Sequence, residues 1–136
     1  MRIIIDNGVG NADFTVLDLS RFSHLKTLEI GVHCFPHVNT VKLIGLSELE
    51  SVVIGRNSFT KSNYSWSSSS SRHFYLKNCP KLKSLKIDRF SFFDYGRIEI
   101  ENVDALEVIE MGDLNEESTN FRYASLELKS ILILDE

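Results

Sequence analysis

The chain of 136 residues repeats one apolar phrase, and the spacing inside that phrase leaves few folds open. The copies are Leu17-x-Leu19-xx-Phe22-xx-Leu25-xx-Leu28-x-Ile30, Val41-x-Leu43-xx-Leu46-xx-Leu49-xx-Val52-x-Ile54, Phe74-x-Leu76-xx-Cys79-xx-Leu82-xx-Leu85-x-Ile87 and Ile98-x-Ile100-xx-Val103-xx-Leu106-xx-Ile109-x-Met111. Their starts lie 24, 33 and 24 residues apart, which is a period of 24 interrupted by one insertion of 9. A partial fifth copy runs Leu126-x-Leu128-xx-Ile131-xx-Leu134, and Ile3-x-Ile5 has the form of the end of a preceding one. Self-similarity of this length is the mark of a stacked-repeat architecture.

Each copy holds two apolar-x-apolar triplets, rich in β-branched residues, and alternation with a period of two is the pattern of a short strand. No stretch between them is long enough for a helix. The intervening -xx-apolar-xx- step turns the chain through a corner while sending one side chain inward. The pattern therefore predicts a β-rich solenoid: a single domain over residues 1–136, about five coils of 24 residues, short parallel strands on two faces, and little or no helix. One coil buries too little apolar surface to offset the entropy of ordering it, about 1–2 kcal/mol per residue, so coils must stack.

Register then assigns roles. Gly31, Gly55 and Gly112, aligned with Asp6 and Asp88, follow the second strand, where a tight turn favours residues tolerant of unusual backbone angles. Phe35, Phe59 and Phe92 come five residues after the last strand position and are expected to stack inside the coil. Outward, Lys26, Glu50, Lys83 and Glu107 alternate in sign up one face and are expected to pair.

The stretch Leu49-xx-Val52-x-Ile54-xx-Asn57-x-Phe59 matches the pattern L-xx-L-x-L-xx-N-x-L, and on these residues the chain resembles a leucine-rich repeat protein. The copies from Leu25 and Leu82 keep the spacing with His33 and Phe90 in place of the asparagine, and the copy from Leu106 lacks both final positions. The Gly-xx-Ser-Phe turn at Gly55–Phe59 and the Asn78-Cys79-xx-Leu82 step are similar to the irregular, BspA-like type of repeat. The resemblance implies a right-handed superhelix whose strands display residues for binding, usually to another protein.

Composition agrees with a folded domain and removes some partners. With 43% hydrophobic and 25% charged residues the chain is too apolar for disorder. Its 15 basic and 19 acidic side chains give a net charge of −4, which lacks the electrostatic footprint of a nucleic-acid or anionic-membrane binder. The N-terminal Met1-Arg2-Ile3-Ile4-Ile5-Asp6 is too short in apolar residues for a signal peptide, and Ile131–Leu134 is strand-sized rather than membrane-spanning. Cys34 and Cys79 are the only cysteines, a poor disulfide framework, so a reducing, cytoplasmic setting is expected.

Residues with chemical potential are few. His33-Cys34-Phe35-Pro36-His37 lacks the second pair of ligands zinc needs, and Cys79 takes an inward core position. Asp6-Asn7-Gly8-Val9-Gly10 has no lysine for a phosphate-binding loop and reads as a turn. Glu99, Glu101, Glu107, Glu110 and Glu127 alternate with apolar residues and read as solvated faces. No nucleophile, base and acid come together, so neither an enzyme nor a cofactor is expected.

The expected role is protein binding. Candidate partner-binding residues are Glu29, Val53, Lys86 and Glu110 on one strand face, and Lys42 and Tyr75, with Asp18 and Glu99, on the other. A Ser-rich insertion, expected as a loop over residues 61–72, adds Tyr64 and Trp66 as candidate aromatic anchors, unless Trp66 folds back on the coil. The alternative is a structural building block that self-assembles end to end, because neither end carries an amphipathic cap.

Overall fold

The computed structural model describes residues 1–10, 12–13, 15–61, 69–112 and 125–129, with the backbone alone at 69–70 and 125–129. The apolar triplets form strands: β1 (Arg2–Ile5), β2 (Val16–Asp18), β3 (Thr27–Ile30), β4 (Thr40–Ile44), β5 (Ser51–Ile54), β6 (Ser69–Lys77), β7 (Ser84–Ile87), β8 (Tyr95–Glu101), β9 (Val108–Met111) and β10 (Ser125–Lys129). No helix occurs among the described residues.

Odd strands make one five-stranded sheet, ordered β1-β3-β5-β7-β9, and even strands make the other, ordered β10-β8-β6-β4-β2. Every pairing is parallel. Parallel neighbours cannot be joined by a hairpin. Here each crossover carries a strand of the opposite sheet, so the chain alternates between the two. Register follows the sequence period: Leu28 pairs with Val52, Val52 with Leu85 and Leu85 with Ile109, while Val41 pairs with Phe74 and Phe74 with Ile98. Ile3 pairs with Leu28 in the same way, so β1 is the tail of a preceding copy.

Inward residues of both sheets close one core, with Leu28, Val52 and Leu85 from odd strands and Leu43, Leu76 and Ile100 from even ones. Leu85 is fully buried at the middle of its row. Leu85→Ala is expected to cost about 2–5 kcal/mol in denaturant unfolding, the range for a buried leucine, whereas a loss below about 0.5 kcal/mol would place it outside the core.

The corners after the odd strands correct the expectation about glycine. Positive φ falls at Gly8, His33, Asn57 and Phe90, and again two residues later at Gly10, Phe35, Phe59 and Phe92, whereas Gly31 and Gly55 lack it. Those two glycines answer a steric demand instead. A Cβ on Gly31 would lie 2.7 Å from the Asn7 nitrogen, and one on Gly55 would lie 2.6 Å from the Gly31 carbonyl carbon and oxygen. Backbones of successive corners approach too closely there for any side chain.

Between the paired positive-φ residues stands a buried polar column. Ser58 Oγ accepts from the Cys34 amide at 3.1 Å and donates to the Gly31 carbonyl at 2.8 Å. One repeat on, Ser91 Oγ accepts from the Ser58 amide at 3.1 Å and donates to the Gly55 carbonyl at 2.6 Å. Cys34 continues the column, its thiol donating to the Asp6 carbonyl at 3.1 Å. Each hydroxyl satisfies groups of the corner beneath it that would otherwise be buried unpaired.

The expected aromatic stack is present: ring centroids lie 5.4 Å apart for Phe35–Phe59 and 4.7 Å for Phe59–Phe92. An asparagine pair also forms, though at the other corner, where Asn102 Nδ2 donates to Asn78 Oδ1 at 2.8 Å and both residues have positive φ. Half-buried Phe90 has a φ of 62°, a conformation that asparagine tolerates and phenylalanine resists by roughly 1–2 kcal/mol. Phe90→Asn is therefore expected to leave thermal stability unchanged or raised by up to about 1 kcal/mol. A loss above about 2 kcal/mol would show that its ring is a core element after all.

Two further expectations change. Lys26, Glu50, Lys83 and Glu107 are exposed and in register, each amide of the last three bonding to the carbonyl of the residue before it in the series. Yet no ion pair among the described residues joins their side chains. Long exposed side chains gain too little from such contacts to be held in them. The loop expected over residues 61–72 is shorter, because β6 begins at Ser69, where its register against β8 shifts before settling at His73. Serine pairs in a ladder wherever a neighbouring strand offers one.

Candidate functional site

Strand alternation sends Thr40 and Lys42 of β4, His73, Tyr75 and Lys77 of β6, and Arg97, Glu99 and Glu101 of β8 to the outer face of the even sheet. Parallel register sets Lys42 beside Tyr75 and Tyr75 beside Glu99. Instead of a solvated row, these residues pack on one another.

Glu99 is the hub, with its side chain only 12% exposed. His73 Nε2 stands 2.7 Å from Glu99 Oε2, Arg97 Nη2 stands 3.2 Å from Oε1, and Lys77 Nζ lies 3.8 Å away and 3.4 Å from Glu101. A carboxylate only accepts, so Nε2 is the protonated nitrogen of His73. The His73 ring stacks on Tyr75 with centroids 3.9 Å apart and planes within 6°. The ammonium groups of Lys42 and Lys77 lie 6.0 and 5.4 Å from the Tyr75 ring centroid. Tyr75 is thus held rigid between an imidazole and two cations, and Lys42 makes no ion pair among the described residues.

The odd sheet offers a different outer face. Glu29, Val53, Lys86 and Glu110 lie in one row by register. Glu29 pairs with Arg2 at 2.9 Å and Lys86 with Glu110 at 4.0 Å, all with well-exposed side chains. Exposed pairs of this kind contribute about 0–1 kcal/mol. The two faces are therefore brought together as predicted within each sheet, but only the even one is preorganised. Tyr64 and Trp66 lie outside the described residues.

A second polar group escaped the sequence reading. Arg72, one register step before inward Phe74, is buried with Asp94, its Nε 3.4 Å from Asp94 Oδ1. Its Nη2 donates to the carbonyls of Phe59 at 3.1 Å and Pro36 at 3.2 Å, and the guanidinium lies 4.8 Å from the Tyr95 ring centroid. Burial holds the Tyr95 phenol well above its ordinary pKa, so it stays protonated and donates to the Val38 carbonyl. Period-two alternation from Phe74 points Arg72 inward, which was the available signal; Asp94 sits in a corner where no period applies.

Cys34 and Cys79 are both buried free thiols, and burial raises the pKa of Cys79, keeping it unreactive. Among the described residues no three His, Cys, Asp or Glu side chains converge as metal ligands, and no helix is long and apolar enough to cross a membrane. Comparison of the chain with protein families, with curated proteins and with solved structures finds no match.

Proposed function

We propose that the chain is a leucine-rich-repeat-like solenoid that acts without catalysis, binding a protein partner on the outer face of its even sheet. The supporting observation is the preorganised cluster around Tyr75. Tyrosine and arginine dominate binding hot spots because they supply large contact area with a polar tip. Side chains already locked by stacking and ion pairs lose little further entropy on association. The two uses of the face fit together: Glu99 neutralises the flanking cations, and Lys42 keeps an ammonium for a partner acceptor. The looser face built from Glu29, Val53, Lys86 and Glu110 must freeze flexible side chains to do the same.

The test is affinity capture on the immobilised chain, followed by titration of each captured protein against variants. Tyr75→Ala is expected to weaken a genuine partner at least tenfold, equivalent to about 1.4 kcal/mol. Val53→Ala, on the opposite face, is expected to leave the affinity unchanged. Partners that bind the Tyr75 variant normally and lose affinity with the Val53 variant would move the site to the odd sheet.

A further inference from the structure

We infer that the two ends of the stack are complementary and take a second copy of the same chain, head to tail. This goes beyond the binding-face reading and rests on the solenoid reading alone. Each winding holds one even and one odd strand, β2 with β3 through β8 with β9. Past one end β1 stands alone in the odd sheet, and past the other β10 stands alone in the even sheet. The described strands thus end in opposite half-windings: beside β10 the odd-sheet place next to β9 is open, and beside β1 the even-sheet place next to β2 is open.

The open place is apolar. Ile109 and Met111 occupy inward positions of β9 and are 42% and 37% exposed, whereas their partners Leu85 and Ile87 on β7 are 0% and 1% exposed. Continuing the register, β1 of a neighbouring copy sets its Ile3 on Ile109 and its Ile5 on Met111, as Ile3 and Ile5 already sit on Leu28 and Ile30. Its Arg2, which pairs with Glu29 inside the chain, falls one diagonal step from Glu110 of the first copy. At the same step β10 of the first copy fills the place next to β2 of the neighbour, with Leu126 and Leu128 in register with Leu17 and Leu19. One position opposes the contact: Asp18 of the neighbour shares a register with Glu127, and like charges directly opposite repel.

A heterologous contact does not close on itself, so it builds open filaments rather than dimers. Sedimentation equilibrium over a concentration series is expected to show mass rising beyond the dimer. Ile109→Glu, which spoils only the β9 end, is expected to remain monomeric alone and, added to unmodified chain, to shorten the assemblies by capping them. Asp18→Asn keeps an acceptor for the Ser20 amide, which now donates to Asp18 at 2.9 Å, and removes the repulsion. It is expected to tighten association by about two- to five-fold, an effect that misfolding does not mimic. A monomer at every concentration, or a dimer that grows no further, would overturn the inference. Either result would leave the Tyr75 face untouched, because that face points away from both ends.

Discussion

Arg72→Ala is expected to cost about 3–5 kcal/mol of folding stability, the penalty of leaving a buried charge without its partner. The variant strips Asp94 of the guanidinium at 3.4 Å and leaves the Pro36 and Phe59 carbonyls without their donor. These groups come from three successive corners, so the loss is felt along the stack and not at one turn. Because the pair is buried, its net contribution against a neutral pair is small, and the two substitutions should not add. Arg72→Met with Asp94→Asn is therefore expected to recover at least about 1 kcal/mol relative to the sum of the single losses. Chemical denaturation of the four proteins of that cycle measures it. Full additivity would mean that the two side chains do not interact.

The second large effect is expected at Phe59, where alanine should cost about 3–5 kcal/mol. Phe59 is fully buried and is the middle ring of the stack, in contact with Phe35 on one side and Phe92 on the other. Deleting it opens a cavity that its neighbours cannot fill, because the corner backbones are fixed by hydrogen bonds from the Phe59 amide to Cys34 and from the Phe92 amide to Ser58. The positive φ of 55° at Phe59 is retained by alanine, so no backbone strain is released in compensation. A loss below about 1 kcal/mol in thermal unfolding would show that the column is loosely packed.

These two positions differ in how visible they were in the sequence. Phe59 follows from period alone, since Phe35, Phe59 and Phe92 are spaced as the repeats are, and strand periodicity likewise gave both sheets and their register. The serine column was equally periodic: Cys34, Ser58 and Ser91 are equivalent positions, and only the habit of reading a cysteine as a ligand hid its role as a hydroxyl substitute. The positive-φ corners were not legible, because the fold imposes that conformation on histidine and phenylalanine and burial of the ring outweighs the backbone cost. Asp94 was invisible because a corner carries no alternation. On the even-sheet face, register told which residues are neighbours but not how tightly they pack. Glu99, read as solvated, is instead surrounded by His73, Lys77 and Arg97.

The central proposition is that residues one period apart in sequence are hydrogen-bonded neighbours in space. Interstrand amide-to-α-proton nuclear Overhauser effects in solution test it directly. The expected connectivities link the rows Leu28–Val52–Leu85–Ile109 and Val41–Phe74–Ile98 in parallel register. Connectivities between consecutive strands, such as β3 with β4 or β7 with β8 in antiparallel hairpins, would contradict both the sheets and every role assigned from them.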